Sequence, residues 1–109
     1  MNYENYLGKK VVVRSNMAGV FYGVLNQIEP IKDSPFFRVE LKDSIRIFYW
    51  EGANSLSDLA INGVAKPNDC KFLPPIKEHL VGDICEIIKT EEKAQKSIEK
   101  VKVWVFGNK

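Results

Sequence analysis

The chain has 109 residues, of which 45 % are hydrophobic and 28 % charged, and its 16 Lys and Arg stand against 14 Asp and Glu for a net charge of +2. One folded domain over residues 1–109 fits that length and composition, with disorder expected only at Met1–Glu4 and Gly107–Lys109. The charge balance excludes a protein that coats DNA through charge alone, and leaves open a local basic patch.

In chain order, Lys9–Arg14 reads as a strand, because its run of valines suits a pleated, half-buried surface. Ser15–Gly19 supplies turn residues, and Val20–Glu29 reads as a second strand antiparallel to the first. Gly23 inside it marks a bulge or a close backbone approach. Pro30–Pro35 reads as a loop. Phe36–Leu41 and Ile45–Trp50 read as a hairpin around Lys42, Asp43 and Ser44. Alternation sets Ile45, Ile47 and Tyr49 on one face and Arg46, Phe48 and Trp50 on the other. A helix follows with Ser55 as N-cap, Asp58 reaching back to it, Leu56, Leu59 and Ala60 on one face, and Gly63 at its C-terminal end before Pro67.

Cys70–Leu73 is expected to be a short strand stopped by Pro74 and Pro75. His79–Lys89 is strongly β-prone. Thr90 can cap a final helix, Glu91 to about Lys100, with Ala94, Ile98 and Val101 on one face and Glu92 paired to Lys96. Val101–Phe106 alternates like a strand. The expected fold class is α+β, a small mostly antiparallel sheet with two short helices.

The densest functional signal is Arg46–Leu59, RIFYWEGANSLSDL. Aromatics end a strand, Gly52 and Ala53 make a small-residue turn, and a helix begins at Ser55. A helix N-terminus offers free N–H groups to an anion, and an indole or phenol offers a flat surface to a base. Asn54 adds a donor and an acceptor. Tyr49, Trp50, Gly52, Asn54 and Ser55 are thus candidate ligand-binding residues. Arg14, Asn16 and Arg46 form a second group, suited to stacking on a base or gripping a phosphate. The competing structural reading makes Phe48, Tyr49 and Trp50 core aromatics and the arginines solvated surface residues. Lys71 and Trp104 are weaker candidates, with Trp104 read as core.

No catalytic set emerges. His79 is a lone histidine, and Asp58, Asp69 and Asp83 make no metal spacing. Cys70 and Cys85 form no CxxC pair and read as two buried free thiols, a disulfide between them staying open. There is no GxGxxG, GxxxxGK[ST] or HExxH. No enzyme activity, cofactor or metal is therefore expected. No apolar run approaches the ~20 residues that span a bilayer, and MNYENYLGKK has no signal-type apolar stretch. The expected location is cytoplasmic, without membrane contact.

RSNMAGVFYG (Arg14–Gly23), YWEGANSLSDLAINGV (Tyr49–Val64) and P..CKF (Pro67–Phe72) resemble a family of small proteins of phages and prophages. Its pattern runs R-x-x-x-A-G-V-F-x-G, W-Y-W-x-G-A-x-S-L-x-x-L-A-x-x-G-V and P-x-x-C-K-F, followed by a late strand, a short helix and V-x-V-W. The chain departs from it at Phe48, where Trp is expected, at Asn54, where a small residue is expected, and in a longer Gln27–Pro35 loop. The resemblance implies a phage origin and a small accessory role in the host cytoplasm, and supplies no activity.

Three function classes follow. The first is a non-enzymatic binder of a small anionic nucleotide-like ligand. By analogy with phage counter-defence, it would be a sponge for an immune signal of cyclic nucleotide or cyclic ADP-ribose type. The second is a nucleic-acid-associated protein, which the near-neutral charge disfavours. The third is a structural or assembly protein. A homo-oligomer is expected, since short apolar strands leave edges that need covering.

Overall fold

Val11, Val12 and Val13 are all fully buried, which a strand achieves only when both of its faces are covered. They form the middle of β1 (Lys10–Ser15). The computed structural model describes residues 3–105; the expected disorder at Met1, Asn2 and Gly107–Lys109 and the end of the expected strand at Phe106 lie outside them. Three long strands accompany β1: β2 (Gly19–Pro30), β3 (Phe37–Tyr49) and, after α1 (Leu56–Asn62) and the two-residue β4 (Lys71–Phe72), β5 (Ile76–Lys89). Helix α2 (Glu92–Glu99) follows. The class is α+β: a five-stranded antiparallel sheet with two helices, dominated by its strands.

The sheet order is β2-β1-β5-β3-β4, and β3 also pairs with β2. Strands β1, β2, β3 and β5 therefore close into a ring, a small barrel in which each has a neighbour on both sides. Val11, Val13, Phe21, Leu25, Val39, Leu41, Val81 and Ile84 pack together on its inner side. A 3-10 turn over Tyr3–Tyr6, where disorder is expected from sequence for Tyr3 and Glu4, brings Tyr6 against this cluster beside Ile28, Phe37 and Ile87. Outside the barrel, Val12, Tyr22, Ile47 and Phe72 meet Leu56, Leu59 and Ala60 of α1 and Ala94 and Ile98 of α2 in a second core. Full burial of a Val, Leu or Phe side chain stabilises by about 1.5–3 kcal/mol.

The expected hairpin at Lys42–Ser44 is instead a bend within the continuous β3. Lys42 pairs with Val24 on one side and Glu78 on the other, so the ladder holds the chain extended. The turn residue of that expectation, Asp43, takes φ 52°, and Asp83 on β5 does the same. Such irregularities bend long strands enough for a small ring to close. Gly23 bears out the expected close approach. The β2–β3 register shifts between Tyr22 and Val24, and a side chain at Gly23 would begin 3.0 Å from the Lys42 carbonyl.

Ser55 caps α1 as expected, its Oγ accepting the Asp58 N–H at 3.0 Å. Asp58 reaches back to Asn54 N–H rather than to Ser55. Gly63 takes φ 76° and donates to Leu59 O. Thr90 does not cap α2: its hydroxyl donates to Lys10 O, and Glu91 occupies the N-cap without a side-chain bond. The Glu92–Lys96 pair forms at 3.1 Å. Residues 101–105 make a single parallel bridge, Val103 to Phe72, in place of the expected alternating strand.

Candidate functional site

β3 outruns the barrel at Arg46, and there its pattern changes. Ile47 pairs with Phe72 and Tyr49 with Lys71, which leaves Phe48 as the extra residue of a bulge. The bulge resets the alternation. Ile47 stays buried, Phe48 and Tyr49 both emerge at 63 % and 45 % exposure, and Trp50 returns to pack with Ala53 against the helical core. Phe48 is therefore a surface ring rather than the core residue expected.

The 103–105 segment supplies the next ring. Trp104 N–H donates to Phe72 O at 2.8 Å, which lays this segment beside β4. The Trp104 indole then faces Phe48 with centroids 6.3 Å apart and planes 13° from parallel. The Lys71 ammonium lies 5.3 Å from the Trp104 ring centre. Tyr49, Glu51, Asp69, Cys70, Lys71 and Trp104 line an open groove of about 480 Å³. Lys71 and Trp104, the weaker sequence candidates, are thus central to it, and Trp104 is half-buried rather than sealed in the core.

The groove has an ordered floor. The Tyr49 hydroxyl donates to Glu51, and this bond to a carboxylate pushes the phenol pKa up. Glu51 N–H donates to the Cys70 thiol at 3.4 Å. Burial pushes the Cys70 thiol up, so it stays protonated and unreactive. Cys70 is buried and Cys85 exposed, both free, which corrects the expectation for Cys85.

The remaining sequence candidates divide between two places. Arg14 and Asn16 flank Ser15 where β1 enters the β1–β2 turn, and Arg46 reaches that turn from β3. Asn16 N–H donates to Asp83 O at 2.8 Å, and Arg46 Nη1 donates to Ala18 O at 2.7 Å with its guanidinium 4.5 Å from the Phe21 ring centre. Arg14 pairs with Val20 of the outer core and Arg46 with Phe21 of the inner one, so the two arginines take opposite faces of the sheet. Gly52, Asn54 and Ser55 lie beyond Trp50. Gly52 has φ 88°, and its open side is filled by the Ala65 and Lys66 backbone, 2.4 and 2.6 Å from where a Cβ would sit. Asn54 N–H and Ser55 Oγ are both bonded to Asp58. The Asp58 carboxylate, its pKa lowered by the Asn62 amide and the Asn54 N–H, already supplies negative charge to the start of α1.

Sequence reasoning missed one pair, the buried Ser44 and the half-buried His79. Ser44 Oγ lies 3.1 Å from His79 Nδ1, and the His79 ring meets Phe21 edge-on at 5.1 Å. Burial, and then the Arg46 charge, lower the His79 pKa. Ser44 is 0 % exposed, so its hydroxyl serves the packing of the barrel end. Among the described residues, no three His, Cys, Asp or Glu gather to hold a metal, and no helix is long and apolar enough to cross a membrane.

A family model described as a domain of unknown function, DUF6948, matches residues 8–98. The chain belongs to that family. The matched span takes in all five strands, α1 and nearly all of α2, and with them Phe48, Tyr49, Glu51, Asp69 and Lys71. It stops short of Trp104, so the groove is assembled from the family span plus the segment that follows it. No curated protein and no solved structure matches the chain.

Proposed function

We propose that this protein is a non-enzymatic binding domain that takes a ligand with a planar, nucleobase-type ring on the Phe48–Tyr49–Trp104 surface. The observation that carries the reading is the near-parallel Phe48–Trp104 pair beside the Lys71 ammonium. Accessible aromatic rings, here the exposed Phe48 and Tyr49 beside the half-buried Trp104, hold another flat ring by stacking, at about 1–3 kcal/mol per base. Lys71 meets a phosphate, and a charge-assisted bond adds about 1.5–3 kcal/mol. Micromolar affinity needs about 8 kcal/mol. The ligand therefore draws on more than one ring and on a second copy covering the open side of the groove, which makes a homo-oligomer part of the proposal.

The finer reading is a phage-encoded sponge that sequesters a nucleotide-derived immune signal in the host cytoplasm. Its support is the resemblance to small phage proteins together with this groove. Arg46 is instead bonded to Ala18 O of the β1–β2 turn, and Asn16 is tied by its backbone N–H to Asp83 O.

Titrating the protein with mononucleotides and cyclic nucleotides, read by tryptophan fluorescence and calorimetry, tests the reading. We expect saturable binding in the parent that falls at least tenfold in Phe48→Ala and Trp104→Ala, with thermal unfolding of Phe48→Ala close to that of the parent. Equal affinity in the parent and both variants contradicts the proposed surface.

A further inference from the structure

The polar side of the groove carries information about which ring it takes, an inference that rests on the ring-binding reading above. Among the described residues that line it, Glu51 and Asp69 are carboxylates, against one cation, Lys71. Glu51 is held in place by the Tyr49 hydroxyl, which donates to Oε1, and by its own backbone N–H on the Cys70 thiol. The Asp69 side chain makes no hydrogen bond or ion pair with another described residue. Ionised carboxylates accept hydrogen bonds and donate none. A ring seated beside them gains when its edge carries N–H donors and loses when that edge carries a lone pair.

We infer that the groove selects a guanine-type base, carried on a nucleoside or a singly phosphorylated nucleotide. The edge of guanine places a ring N–H next to an exocyclic amine, two donors side by side that match the two oxygens of one carboxylate. The corresponding edge of adenine offers one donor next to an acceptor nitrogen, which a carboxylate repels. The same two carboxylates disfavour a polyanionic strand, whose successive phosphates find a single lysine here. Lys71, a flexible point charge, suits one phosphate. The groove thereby separates a low-charge nucleotide ligand from single-stranded nucleic acid.

Calorimetric titration with guanosine, inosine, adenosine, guanosine monophosphate and a short single-stranded oligonucleotide tests this on the full chain. The expected order places guanosine about tenfold or more above adenosine, a spread typical of one well-matched base edge. Inosine, which keeps the ring N–H and lacks the amine, falls between them. Glu51→Gln and Asp69→Asn, both isosteric changes that remove the charge, bring guanosine toward the adenosine affinity in at least one variant. Equal binding of guanosine and adenosine, with both lost in Trp104→Ala, overturns the selectivity and leaves the ring-binding surface standing. An oligonucleotide that outcompetes guanosine monophosphate overturns the low-charge assignment. Absence of binding by every probe up to millimolar concentration overturns both readings together.

Discussion

At Gly52 the surrounding backbone decides what the position can hold. Its φ of 88° and the 2.4 Å gap between a Cβ and Ala65 N leave no room for any other residue, although the sequence alone suggests that the space is kept for a ligand. Gly52→Ala should cost about 2 kcal/mol or more, by the combined penalties of a positive φ and overpacking. Urea denaturation measures it, and an unchanged midpoint contradicts the packing described. His79 gives a pH-dependent prediction. Its folded-state pKa lies below the ordinary 6.5, because burial and the Arg46 charge both oppose protonation. Below pH 6.5 the unfolded chain binds a proton that the folded chain resists, so stability present above 6.5 is lost as pH falls toward the folded value. Denaturation midpoints at pH 7.5 and 5.5 should therefore differ more in the parent than in His79→Gln. The same difference in both would show that His79 is not the titrating group.

Whole elements were legible from sequence in proportion to how local their causes are. The valine run of β1, the cap and stop of α1 around Ser55 and Gly63, and the amphipathic spacing of α2 all depend on residues a few positions apart, and all three elements form. The Lys42–Ser44 turn failed as an expectation because its outcome is set by non-local pairing, with Val24 and Glu78 gripping the chain from both sides. The aromatic end of β3 reads as functional material from sequence alone. Its division into exposed Phe48 and Tyr49 and inward Trp50 depends on a bulge opposite Lys71 and Phe72, which no spacing in β3 itself announces. Trp104 joins the groove through non-local contacts, its backbone bond to Phe72 and its ring contacts with Phe48 and Lys71, all more than 30 positions earlier in the chain. At α1, Ser55→Ala should lower stability by about 1 kcal/mol and leave nucleotide affinity unchanged. A large loss of affinity at constant stability would move the ligand back to the helix start, where Asp58 now sits.

At the scale of the molecule, closure of the barrel settles the edges that prompted the expectation of an oligomer, since β1, β2, β3 and β5 each pair on both sides. Exposed apolar side chains remain among the described residues: Phe48, Tyr49, Val103 and Val105 lie at or next to the groove, and Leu7, Met17, Ile61, Ile76 and Leu80 lie elsewhere. A partner copy that covers the groove is the form of self-association that the proposed ligand site calls for. Light scattering at micromolar concentration should then give a mass above the 12.5 kDa of one chain, and a 12.5 kDa particle both with and without nucleotide would contradict it. The proposed ligand site is specific as to place: a flat ring would dock on Phe48, Tyr49 and Trp104. Amide and side-chain chemical-shift mapping during titration with guanosine monophosphate is the sharpest test. The largest shifts should fall on Phe48, Tyr49, Glu51, Lys71 and the Trp104 indole. Shifts concentrated at Arg14, Asn16 and Arg46, or none at saturating nucleotide, would contradict it.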